Sequence, residues 1–138
     1  MASRRNKRAI VRGHVQLEQG SADALPYRDA TFDKALSVHT IYFWPHLLAP
    51  LVEARCVLKP GGRLVLGFRS DPAAVATFPG SVYRFWTEEE VTAALGEAGF
   101  ERTRCELRRG GPGGVRFAVA IAPSVACDVQ QRATHLAC

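Results

Sequence analysis

The sequence predicts an α/β fold, a mixed sheet closed by a C-terminal antiparallel hairpin. Three observations lead there. Short apolar strands alternate with helical patterns, which implies parallel strands joined by crossovers. The stretch VLKPGG (57–62) joins a helical pattern to the apolar run LVLGF. Finally, two strand-like runs, 101–109 and 114–122, flank GGPGG, and so short a link forces them antiparallel.

Taken in order, Ser3 is placed to cap a short helix reaching Val11 or Arg12, with Gly13 as its stop. HVQLEQ (14–19) alternates apolar and polar residues as a strand does. GSADALPYRDA (20–30) reads as a loop, Phe32 to Val38 as the next strand and HTIYFWPH as an aromatic loop. From His46 to Leu58, leucine and valine recur mostly at helical spacing. Pro60 ends that helix, Gly61 and Gly62 supply a tight turn, and Arg63 to Phe68 form a buried strand.

Residues 70–85 hold two prolines and no firm period, so they read as a long loop or broken helix. Thr87 heads a T-E-E-E capping box with Glu90, and Gly99 stops the helix that follows. The order α-β-β-α-β-α-β-β implies a largely parallel sheet covered on both faces. Apolar 114–122 should lie between 63–68 and the charged edge strand 101–109.

Composition excludes several classes. At 138 residues, with 47% hydrophobic and 22% charged content, the chain fits one ordinary globular domain. No apolar run reaches the roughly 18 residues of a membrane span. MASRRNKR lacks the apolar core and cleavage site of a signal peptide. The net charge of +5 comes from RRNKR, RTR and RR without interleaved aromatics, so solvated faces are expected and no nucleic acid. Cys56, Cys105, Cys127 and Cys138 are scattered, with no metal spacing; reduced, packed thiols and a cytoplasmic setting are expected, and no metal site.

Three segments in order, GSADALPYRDATFDKALSVHTIYFW, EARCVLKPGGRLVLGF and FWTEEEVTAALGEAGF, carry a resemblance. Together they resemble the later half of class I S-adenosylmethionine-dependent methyltransferases, in the branch that acts on small molecules. Cys56 stands where that family's E-x-x-R-V-L-K-P-G-G segment has Arg; Glu53 and Arg55 read as structural. The resemblance implies a partial Rossmann-like sheet over residues 1–122; 123–138 has no clear period and is expected to be a loosely attached tail. It implies S-adenosylmethionine as cofactor and a small-molecule acceptor.

The family's glycine-rich loop, and the acidic residue that holds the ribose, have no counterpart before Gly20. The resemblance is therefore to a truncated, C-terminal portion whose open strand would pair with a second chain or a missing N-terminal half. Such a chain is expected to bind the cofactor poorly on its own. A non-catalytic fragment, or an interaction module completing its sheet with another chain, is the competing reading.

By the same resemblance, Ser21 and Ala22 fall at the adenine-contacting positions, while Asp23 falls at a variable one. Val38 and His39 end the strand facing the cofactor, and His39 is the catalytic candidate because imidazole titrates near neutrality. An exposed loop histidine is the equal alternative. Tyr42, Phe43 and Trp44 offer π-faces to a sulfonium or pack the next helix; Phe78, Tyr83, Phe85 and Trp86 are substrate wall or core.

Overall fold

The computed structural model describes residues 2–70, 82–108 and 114–127. Helices α1 (Ala2–Arg5) and α2 (Lys7–Val11) precede strand β1 (Phe32–Val38). A 3-10 turn at Ile41–Phe43, helix α3 (Leu48–Val57) and strand β2 (Leu58–Phe68) follow, then helix α4 (Glu88–Glu97) and the hairpin β3 (Glu101–Arg108) and β4 (Val115–Ile121).

The sheet order is β1-β2-β4-β3. β1 and β2 are parallel, while β4 is antiparallel to both β2 and β3. The apolar hairpin strand thus lies between β2 and the charged edge, as its composition requires.

Six expectations need correction. His14 to Gln19 form no strand. Alternation alone does not make one: a strand needs a ladder partner, and the described residues offer none beyond β1. The sheet therefore has one parallel pairing and two antiparallel ones, and is not largely parallel. Nor do the described helices cover both faces. Ser37, Leu66 and Ala118 share one face; Leu36, pairing with Val65, lies on the other and is 71% exposed.

The first helix is also two short ones. Asn6 donates its side-chain amide to Ala2 O, the carbonyl that its own backbone N–H also uses. Such local bonding disfavours a continuous helix, and no residue of either piece is buried to compensate.

KPGG is a bulge inside β2 and not a turn before it. Phe32 pairs with Leu58 and Lys34 with Arg63, so the segment bows out between two ladder positions. Gly61 has φ +73°, and a Cβ on Gly62 would sit 2.8 Å from Lys59 O and 3.2 Å from Asp33 O. Lys59 Nζ bonds Asp33 across the bulge at 2.9 Å.

The core lies where α3 and α4 cover the sheet. Leu51, Val91 and Leu95 meet Leu64, Leu66, Phe68 and Ala120, all fully or almost fully buried. Burying one such side chain stabilises by about 1.5–3 kcal/mol, so this layer holds the domain. The Thr87–Glu90 capping box forms in full.

Cys56 and Cys127 were expected as separate thiols; they form a disulfide, with Cα atoms 4.9 Å apart. Spacing could not reveal this, because 71 residues separate them and scattered cysteines define no pairing. The start of the tail is held too, since Gly61 N–H donates to Ala122 O and Pro123 O. Residues 128–138 lie outside the described part, as does the stretch 71–81 of the loop read at 70–85.

Candidate functional site

His39 directly follows β1 and Arg69 directly follows β2, so both stand at the carboxyl ends of neighbouring parallel strands. Loops at such ends bind ligands in open α/β sheets, because side chains converge there above the strand tips. His39 has φ +55° and its N–H is held by Gly67 O at 2.8 Å. The left-handed turn lifts the imidazole away from the strand line.

Together with Tyr42, Phe43, Tyr83 and Phe85, these residues line a cavity of about 300 Å³. The Tyr42 hydroxyl ties it together: it accepts Arg69 N–H at 2.6 Å and lies 3.0 Å from His39 Nδ1. If the phenol proton serves Nδ1, the ring hydrogen sits on Nε2. A base at Nε2 requires the other tautomer, with Nδ1–H donating to the phenol oxygen. Burial raises the Tyr42 pKa above its ordinary value, outweighing the Arg69 hydrogen bond and charge.

A second cavity, about 330 Å³, lies between β1, α3 and the loop 20–25. Ser21 and Ala22 line it with Ala35, Ser37, Thr40 and Leu51. Ser37 and Thr40 hydroxyls bond each other at its edge. The loop is fastened from beneath by buried Glu53, whose Oε1 accepts Leu25 N–H at 2.9 Å.

Ser21 and Ala22 therefore come together, and His39 lies in the other cavity. Val38 lines neither of these two cavities. Asp23 lines a third hollow, beside Pro26 and Glu53. Of the aromatic loop, Tyr42 and Phe43 join His39, while Trp44 lines the Ser21 cavity. Trp86 is core, its indole N–H donating to Ile41 O at 3.0 Å. Phe78 lies outside the described residues.

Sequence reasoning passed over Arg69, Ser37 and Thr40. A charge immediately after a buried strand was the available signal for Arg69. Among the described residues no group of His, Cys, Asp or Glu could hold a metal, and no helix is long and apolar enough to cross a membrane.

This arrangement, a mixed sheet with helices and cavities at parallel strand ends, is that of a Rossmann-like α/β domain. Residues 1–66 match the family described as "Methyltransferase domain". The chain is 28% identical to the ubiquinone/menaquinone biosynthesis C-methyltransferase UbiE of Brucella suis, over 76% of this chain and 51% of that protein. It is 31% identical to the 27-O-demethylrifamycin SV methyltransferase of Amycolatopsis mediterranei, over 76% of this chain and 42% of that one.

Among solved structures, a SAM-dependent methyltransferase from Thermotoga maritima superposes with TM-score 0.68 at 26% identity, covering 86% of this chain and 69% of that one. The apo methyltransferase SibL gives 0.72 at 19% identity, over 88% and 40%, a likeness of fold alone. In sequence and fold together the chain is similar to S-adenosylmethionine-dependent methyltransferases. It spans about half the length of the curated relatives it matches.

S-adenosylmethionine is the cofactor this kinship implies. The Ser21 cavity has the chemistry an adenine calls for: Ala22, Ala35 and Leu51 give apolar walls, and Ser21 gives a hydroxyl acceptor. No carboxylate lines that cavity, so the described residues supply no charged acceptor for the ribose hydroxyls.

Proposed function

We propose that the chain forms the adenine and acceptor side of an S-adenosylmethionine-dependent methyltransferase acting on a small molecule. One observation carries the reading: two cavities adjoin the same turn, residues 37–42, at the tip of β1. One suits the adenine, the other an acceptor. When bound, the cofactor supplies an electrophilic methyl group.

The chain's own residues orient what surrounds it. Ser21 and the Ala22 backbone would hold the base, with Val38 ending the strand between the two cavities. Tyr42 and the Gly67 carbonyl fix His39, which in its Nδ1–H tautomer serves as general base for an acceptor proton. Positioning supplies much of the rate in such transfers, so the rigid turn matters as much as the base. The neutral hydroxyl of Ser21 and the absent ribose partner imply weak cofactor affinity for these 138 residues alone.

The test is an amide NMR titration of the chain with S-adenosylmethionine into the millimolar range. Saturable shifts centred on Ser21, Ala22, Ser37 and Thr40 are expected. Shifts elsewhere, or none, would overturn the reading. A second reading, that β1 pairs with a strand from another chain, rests on one observation: among the described residues β1 has a ladder partner on one side only, and its own Leu36 is exposed.

A further inference from the structure

The wall of the His39 cavity is built from rings. Tyr42 and Phe85 have centroids 5.0 Å apart, Phe43 and Tyr83 5.1 Å, and the His39 ring lies within 22° of the Tyr42 plane. Such a wall suits a flat ligand, which exchanges water for offset or edge contacts with each ring. A volume of about 300 Å³ limits it to one or two rings.

The charge that the described lining residues bring is that of Arg69, and none of them is a carboxylate. Arg69 Nε is buried with no hydrogen-bond partner. A buried donor on a charged group, left without an acceptor, is costly, and the structure around it supplies none. An anionic oxygen entering the cavity would instead meet the outer edge of this guanidinium, since Arg69 lines the cavity. A planar guanidinium recognises a carboxylate or ionised phenol through two parallel N–H donors, where an ammonium would act as a point charge.

From the ring wall and the Arg69 charge on the cavity lining together, we propose that this cavity binds a planar aromatic anion, its anionic oxygens anchored by Arg69. Its role as methyl acceptor rests on the methyltransferase reading; the binding does not. Tyr42 then has two duties, closing the wall with its ring and holding Arg69 at the strand tip through the Arg69 N–H.

The experiment is calorimetric titration of the full chain with 2-naphthoate and, for comparison, neutral 2-naphthamide. The anion should bind at least tenfold more tightly. Arg69→Gln should abolish that preference, bringing 2-naphthoate down to the affinity of 2-naphthamide, and Arg69→Lys should retain part of it; circular dichroism confirms that each variant is folded. Equal affinity for the two probes, no binding of 2-naphthoate at millimolar concentration, or a preference that survives Arg69→Gln would overturn the proposal. If the Arg69-dependent preference holds while S-adenosylmethionine leaves Ser21 and Thr40 unshifted, the anion site stands and the methyltransferase reading falls. The opposite pair of results retains the methyltransferase reading and removes the anion site.

Discussion

The Glu53 carboxylate accepts the Leu25 N–H at 2.9 Å from within α3, so a buried acid holds a surface loop in place. Leu25 lies four residues beyond Ser21, and both line the same cavity. Removing the acceptor would strand a half-buried backbone donor and loosen that wall. Glu53→Ala is expected to cost about 1–3 kcal/mol in urea unfolding. Glu53→Gln, whose amide oxygen still accepts, should cost less. Equal losses for the two variants would show that the hydrogen bond is not what Glu53 provides.

The bulge in β2 separates two kinds of glycine requirement. Gly61 needs its positive φ but has open space around the missing Cβ; Gly62 is enclosed by backbone oxygens. Gly61→Ala should cost about 1–2 kcal/mol, the left-handed penalty for an L residue. Gly62→Ala should cost more, because Lys59 O and Asp33 O belong to backbone that cannot swing aside. Chemical denaturation of both variants orders the two effects.

Tyr42 makes stability fall in alkali. Burial raises its folded pKa above the ordinary value of 10.0. The phenol's contribution is therefore fully present below pH 10 and is lost as pH rises through the folded value. Absorbance at 295 nm should show one of the three tyrosines ionising later than a free tyrosine. Tyr42→Phe should remove that late component. It should also destabilise the fold by about 1–3 kcal/mol, since Arg69 N–H loses its acceptor.

The Cys56–Cys127 bridge closes a loop across a sequence separation of 71. Chain-entropy arguments give about 4 kcal/mol for a ring of that size. Dithiothreitol, or Cys56→Ser, should lower the urea midpoint by similar amounts, and the reductant should add nothing to the variant. Cys105 is the contrasting thiol. Burial raises its pKa above 9.0, so iodoacetamide should modify it more slowly at pH 8 than a free cysteine.

Much of the fold could be read from local chemistry. Phe32 to Val38 form a strand with the expected bounds, Thr87 and Glu90 cap their helix, and the GGPGG link fixes an antiparallel pair. The misses are non-local. Whether 14–19 becomes a strand depends on a neighbour, not on its own alternation. The KPGG segment carries turn residues, but its role as a bulge follows from pairing with β1. The disulfide joins residues whose approach only the tertiary fold creates. The site divides the same way: motif position makes Ser21 and His39 candidates, yet that they line two different cavities could not be read from it. Arg69 drew no notice because its meaning comes from the rings around it.

The turn after β1 presents Ser37 and Thr40 to one cavity and His39 and Tyr42 to the other. Six consecutive residues thus form a party wall between two cavities. A shift of the wall that enlarges one room narrows its neighbour, so filling either changes the affinity of the other. Linkage makes that influence equal in both directions. A short, tightly hydrogen-bonded turn is in this sense a balance beam between two ligands, and its stiffness sets how strongly each is felt by the other.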